Sequence, residues 1–481
     1  MKITSRRLAP RLGKLALAVV MLTGIESQPA AAQEQPNIVL IVMDNLGWGE
    51  IGAYGGGILR GAATPRLDRL ATEGIRFLNF NVESQCTPSR SALMTGRHPI
   101  RSGTTKVVWG MLYGMTQWEV TLPELLSEQG YATGMYGKWH LGDSPGRYPT
   151  DQGFDEWYGI ANTTDESLYA TGFGFDPAEV EVPSIVESVR GQTPRHVKEY
   201  DVPARREIDS EITARVIDFM DQNVSAGKPF FAYVPFTQMH LPTLPHPDFD
   251  GNTGNGNFAD VLTEVDARAG QVLDAIERLG IRENTIVIWM SENGPEEIFP
   301  HNGTAGPWRG TYFTALEGSL RTPFIIRWPA QIEAGQVHNE IMHITDIMPT
   351  LARVAGASVP TDRIVDGVDQ YDLLTGRAEH SAREGFPVYN GDNLMAYKWG
   401  NWKIHFMEQA TMGSPIVTPG MPRVYHLLRD PKEQYDLVHY GGTDGFWIMP
   451  PIMERVVAHQ ITLQEEPPIP IGTPDPYVPG R

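Results

Sequence analysis

A chain of 481 residues that is 41% hydrophobic and 20% charged carries enough apolar mass for a sizeable core, which excludes a disordered or fibrous protein. Acids outnumber bases 58 to 39, and a formal net charge of −19 with no offsetting basic block argues against a nucleic-acid partner. The single cysteine excludes an internal disulfide framework.

Arg6, Arg7, Arg11 and Lys14 precede the apolar run Leu15 to Ile25, and Ala30-Ala31-Ala32 follows. That order is a secretory signal, so residues 1–32 are expected to be cleaved and the rest exported to the periplasm or beyond. The run is shorter than the ~20 residues that span a bilayer, and no later stretch is apolar enough, so no membrane partner is expected.

Asn37 to Met43 is a continuous Ile- and Val-rich run, the pattern of a strand covered on both faces. Similar runs recur at Phe231–Phe236, Thr285–Met290 and Pro323–Trp328. Helical patterns lie between them. Thr64-Pro65 reads as a helix cap, Thr121 to Glu124 as a capping box, and Phe258 to Leu279 as a long amphipathic helix ended by Gly280. This alternation predicts an α/β domain over residues 33–385, a mixed sheet sandwiched by helices. The stretch Asn162 to Val202, weakly periodic, reads as a long excursion or a lid. A smaller α+β subdomain is expected over residues 386–481. It has two strands around Gly400-Asn401, a third at Arg423–Leu428, a helix at Glu454–Gln464 and a proline-rich tail from Pro467.

Cys86 stands at a helix start with Arg90 four residues on, which makes it either a low-pKa nucleophile or a buried, inert thiol. The segment Cys86-Thr87-Pro88-Ser89-Arg90, continued by Leu93, Thr95 and Gly96, resembles the signature of the formylglycine-dependent (type I) sulfatases of the alkaline phosphatase superfamily. The resemblance implies an alkaline-phosphatase-like fold. It also implies oxidation of Cys86 to formylglycine by a formylglycine-generating enzyme, and a hydrate, held in part by Arg90, that supplies the attacking oxygen.

Further segments carry the same resemblance. Asp44-Asn45 ends the first strand and Glu292-Asn293-Gly294 follows Thr285–Met290, where the family holds a divalent cation. Oxygen donors at strand ends suit a hard ion, calcium above the others. Asn45 stands where the family has a second aspartate, and Glu292 is one methylene longer than the usual acid. Gly137-Lys138-Trp139-His140 matches a block in which the lysine binds sulfate and the histidine removes a proton from the sulfated hydrate. An extended segment would turn Lys138 and His140 to one face. His240, in His240-Leu241-Pro242, is expected to bind the ester oxygen and protonate the leaving alcohol. The family's sulfate-binding lysine falls on Tyr312, so a neutral hydroxyl there or a displaced Arg309 is expected to serve. The block Leu427 to Leu437 resembles a C-terminal docking element of the family and is expected to be structural.

The expected activity is hydrolysis of sulfate monoesters. Trp109, Tyr113 and Trp118 lie just past the nucleophile helix; they either pack the core or wall the pocket, and as pocket walls they would favour aryl esters. The alternatives are a carbohydrate sulfatase, a phosphonate or phosphate monoester hydrolase on the same scaffold, and a non-catalytic binding protein.

Overall fold

The computed structural model describes residues 35–475 and 477, except 108–112 and 444. The expected signal segment 1–32 and Trp109 lie outside the described residues.

Ten strands form one mixed sheet. In chain order they are β1 (Asn37–Met43), β2 (Ile75–Phe77), β3 (Ala132–Lys138), β4 (Glu156–Ile160), β5 (Ser184–Val189), β6 (Arg195–Glu199), β7 (Phe230–Pro235), β8 (Thr285–Ser291), β9 (Phe324–Arg327) and β10 (Gln336–His338). Their spatial order is β10-β2-β9-β8-β1-β7-β3-β4-β5-β6. The five strands from β8 to β4 run parallel, and antiparallel β9 and β5 flank them.

Every second residue of β1 faces a different helical layer. Ile38, Leu40 and Val42 pack with Leu93 and Met94 of α2 (Cys86–Thr95), Leu122 and Leu126 of α3 (Leu122–Glu128), and Leu351 of α6 (Ile347–Ala355). Val39, Ile41 and Met43 pack on the other side with α1 (Pro65–Thr72), α4 (Val202–Ser225) and α5 (Asn257–Arg278). Burial on both faces is why β1 reads as an unbroken apolar run. The capping box expected at Thr121 is present, with Thr121 and Glu124 bonded reciprocally. Thr64 does not cap α1 as expected: its hydroxyl accepts from Gly52 N and donates to Asp68.

Four antiparallel strands make a second, small sheet: β11 (Gly385–Asn390), β12 (Asn393–Trp399), β13 (Trp402–His405) and β14 (Arg423–His426). The turn between β12 and β13 holds Gly400 at φ 55°, which explains the glycine the pattern pointed to. Helix α7 (Met449–Glu465) packs Ile452 and Val456 against Tyr397, Ile404 and Val424. The proline-rich tail is tied down: Ile469 is buried, and Asp475 pairs with Arg147 at 2.9 Å.

Between the two sheets lies a buried polar joint. Glu317 binds Lys398 Nζ at 2.7 Å and Lys403 Nζ at 3.1 Å, and it also accepts from Arg321 Nε. Glu433, from the block expected to be structural, accepts from Glu317 N at 2.7 Å and meets His405 at 2.7 Å.

Candidate active site

Adjacent parallel strands end at one place, and the chemistry collects there. Asp44 follows β1, Lys138 closes β3, the loop 237–240 follows β7, and Glu292 follows β8. Cys86 opens α2 above them. The loop after β7 is stitched to β1 by backbone bonds, Asp44 N to Gln238 O at 3.0 Å and Met239 N to Asp44 O at 2.6 Å.

Asp44, Cys86 and His240 bring one ligand atom each within 4.8 Å of one another, and Cys86 Sγ donates to Asp44 Oδ1 at 3.8 Å. Lys138 Nζ donates to Asp44 Oδ2 at 2.7 Å. Arg90, one helical turn after Cys86, ion-pairs with Glu292 at 2.7 Å and donates from Nη2 to Glu292 Oε1 at 2.9 Å. Asn293 Nδ2 donates to Asn45 Oδ1, which leaves Asn293 Oδ1 buried without a protein partner. Asn45 sits at φ 55°, a left-handed conformation that Asn tolerates better than most residues.

The electrostatics follow from burial. Burial opposes ionisation of Asp44, but Lys138, His240 and Arg90 outweigh it and hold the carboxyl well below its usual range. Burial pushes Glu292 up, and Asp44 adds to the shift against the pull of Arg90. The Cys86 thiol is raised well above its ordinary value, first by burial and then by Asp44 and Glu292. Of the two readings of an isolated Cys86, the buried thiol is the one that fits, because desolvation and the nearby carboxylates outweigh Lys138 and Arg90. His140 is pushed well below the usual range by burial, with Lys138 and Arg90 adding to it.

Two expectations need correction in detail. His140 is at φ 59°, so Lys138 and His140 are not two turns of one extended segment. The left-handed residue still presents the His140 ring to the cavity, where neither ring nitrogen has a protein partner. Arg309 does not replace the missing lysine. It is exposed and lines a separate cavity beside Leu316, His405 and Tyr425, because Gly310 turns the chain away before Tyr312 returns to the site. Tyr312 itself is buried and lines the catalytic cavity.

That cavity has a volume of about 860 Å³ and runs from Cys86, His140 and His240 outward. Its outer wall comes mostly from the predicted excursion 162–202, with Asp165, Glu166 and Glu181, and Asp143 joins it from the preceding loop; no Lys or Arg lines it among the described residues. Of the two readings for Trp118, packing holds: it is not in this wall, and the guanidinium groups of Arg97 (5.4 Å) and Arg363 (3.9 Å) lie over its ring. Tyr113 is also absent from the wall, and of that segment Val107 contributes.

Several contributors escaped sequence reading. Arg205 and Asp209 of α4 fix the His240 loop. Arg205 donates to Thr237 Oγ1, Gln238 Oε1 and His240 O at 2.9, 2.7 and 3.1 Å, and Asp209 accepts from Thr237 N at 3.0 Å. Thr163 Oγ1 lies 3.4 Å from His240 Nε2. The regular helical spacing of Arg205 and Asp209 carried no sign of this, whereas Glu296, in the turn after Asn293, stood next to a quoted motif.

With this geometry the chain was compared with known proteins. The family model for sulfatases matches residues 36–357, and the model for the C-terminal region of aryl-sulfatase matches residues 381–470. Arylsulfatase A of Homo sapiens is 35% identical over 470 residues, covering 91% of this chain and 88% of that protein. N-acetylgalactosamine-6-sulfatase of Canis lupus familiaris is 32% identical over 476 residues, covering 90% and 87%. Among solved structures, PsFucS1 sulfatase from Pseudoalteromonas sp. superposes with a TM-score of 0.85 at 31% identity, covering 91% of this chain and 92% of that one. The chain belongs to the sulfatase family and is a sulfuric ester hydrolase.

Proposed function

We propose that the enzyme works through a formylglycine at position 86 with a divalent cation, calcium, held by Asp44, Asn45, Glu292 and Asn293. The observation that carries the reading is the placing of Cys86 beside Asp44, with Arg90 of the same helix clamped on Glu292. The four side chains offer hard oxygens, and the buried, unpartnered Asn293 Oδ1 is the kind of atom a cation satisfies. The aldehyde hydrate supplies the attacking oxygen, and the ion supplies positive charge for it and for sulfate.

The remaining steps belong to the side chains. Lys138, raised by Asp44 against the effect of burial, stays protonated and faces the sulfate. His240 Nδ1 lies 2.8 Å from the Leu241 carbonyl, which only accepts, so Nδ1 carries the hydrogen. Nε2 is then the atom that serves the leaving oxygen. His140, kept neutral by burial and by Lys138 and Arg90, is suited to take a proton when sulfate is expelled. Tyr312 supplies a neutral hydroxyl where a lysine would stand. Tyr312→Phe keeps the ring against Phe313 (4.5 Å) and removes only that donor. kcat/KM should fall about tenfold, one hydrogen bond's worth, with the melting temperature unchanged.

Aryl esters are the first substrates to test. A second reading, a sulfated sugar with no charge besides its sulfate, rests on the carboxylates of the outer wall, which accept hydrogen bonds from hydroxyls. The substrate meets the enzyme outside the cytoplasm, after removal of residues 1–32 and modification by a formylglycine-generating enzyme. No helix among the described residues is long and apolar enough to cross a membrane. Mass spectrometry of the Cys86 peptide, with p-nitrophenyl sulfate, phosphate and phosphonate and a panel of sulfated sugars assayed on the same sample, tests the reading. An aldehyde with sulfate release is expected. Sulfate release from a sample whose residue 86 is entirely thiol would overturn the formylglycine reading, and phosphonate cleavage faster than sulfate release would overturn the choice of ester.

A further inference from the structure

Glu296 is an acid with an unusual setting. It is 1% exposed, and no Lys or Arg among the described residues pairs with it. Its Oε1 accepts from the backbone N–H groups of Glu297 at 2.8 Å and Ile298 at 3.1 Å. Its Oε2 accepts from Asn45 Nδ2 at 3.1 Å. A carboxylate buried this far from water is costly unless positive charge stands nearby.

The Asn45 contact settles an orientation. A carboxylate only accepts, so the Asn45 nitrogen must face Glu296 and Oδ1 must face the other way, toward Asn293 and the cluster of oxygens after β1 and β8. Asn293 Nδ2, itself fixed by the Gly294 carbonyl at 3.0 Å, donates to Asn45 Oδ1 and sets the same orientation from the other side. Glu296 holds the nitrogen end of that amide with a charged acceptor.

Charge points the same way. In the buried centre Asp44 and Glu292 are matched by Lys138 and Arg90, so these four groups sum to zero. A divalent cation and a singly charged sulfate ester would leave one uncancelled positive charge. Glu296 cancels it. Tyr312 bears on this as well: Glu296 is the charge that acts on it most, and a neutral residue at that place leaves the Glu296 charge free for the ion.

We propose that Glu296 is a positioning residue for the cation, one that supplies through the Asn45 amide the negative charge that an aspartate at position 45 would have carried. The inference rests on the cation site proposed above. Such partners behind a ligand commonly contribute 10–100-fold to metal affinity.

Calcium titration of the chelator-stripped full-length enzyme by calorimetry tests it without recourse to activity. Wild type should bind one calcium, and Glu296→Gln should bind it about 10–100-fold more weakly. The double variant Asn45→Asp/Glu296→Gln moves the charge from the second partner to the ligand itself, and should return to within about threefold of wild type. It also carries the test should Glu296→Gln alone fail to fold. Equal affinity of Glu296→Gln and wild type would overturn the inference while leaving the cation site standing. So would a double variant that folds and binds calcium more than about tenfold more weakly than wild type. Wild type that binds no calcium would overturn the cation site and this inference together.

Discussion

Cys86→Ser is expected to lower kcat by about 10⁴-fold or more, the scale on which loss of a catalytic nucleophile acts. The substitution is sterically mild. Cys86 is 1% exposed at the start of a fully buried helix, and serine fits the same volume beside Asp44. Binding should survive, because Lys138, His140 and His240 are untouched, so KM should move by less than about threefold. What serine lacks is the second hydroxyl of an aldehyde hydrate: it has one oxygen to attack with and no second proton whose removal by His140 expels sulfate. Rapid-quench kinetics should show at most one equivalent of alcohol released per enzyme. Sustained turnover by the serine variant would remove the basis for the proposed role of residue 86.

Glu317→Gln is expected to destabilise the enzyme by about 3–5 kcal/mol, the cost of leaving buried cations unmatched. Glu317, Lys398 and Lys403 are each 0% exposed; burial and Arg321 push Lys398 well below its ordinary value against the pull of Glu317, and a glutamine offsets neither the lysines nor Arg321. Burial works against ionisation of Glu317, but Lys398, Lys403 and Arg321 outweigh it and hold its carboxyl well below the ordinary 4.5. A depressed carboxyl stabilises the fold fully above its unfolded value and loses that contribution as pH falls through its folded value. The wild type and the variant should therefore differ most near neutral pH and converge in strong acid. Urea denaturation at pH 7 and pH 3 measures both claims, and equal stability at pH 7 would show that the joint between the sheets is held by apolar packing alone.

Much of the catalytic floor was legible because it is local. Cys86 and Arg90 belong to one helical turn, and Asp44 and Glu292 each lie at the end of a strand that announces itself by an apolar run. Lys138 ends the strand ATGMYGK, which carries no such run and was reached only through its matched block. The left-handed turns at Asn45, His140 and Phe313 were not legible, because none of them is a glycine and spacing alone gives no hand. Arg309 was misplaced for a related reason: a one-dimensional match gives a residue's position and not its direction. Glu296 and Asn45 are 251 positions apart, so nothing in either neighbourhood advertises their bond. The outer wall was illegible for a simpler reason. The segment from 162 to 202 is mostly exposed or half-buried, and without an apolar face it has no period to read.

The depth of Cys86 also sets an order of events. In the folded chain its sulfur lies beneath the catalytic cavity, in a helix whose ten residues are all buried, so no second enzyme could seat that helix in an active site of its own. On the proposed formylglycine reading, the signature would therefore be read while it is still an extended strand of unfolded polypeptide. Folding is then the deadline for maturation: a molecule that closes with the thiol intact is sealed in that state, however long it later shares a compartment with the modifying enzyme. On that reading the specific activity of a preparation would record a race between modification and collapse of the sheet, decided once per molecule before the first substrate arrives.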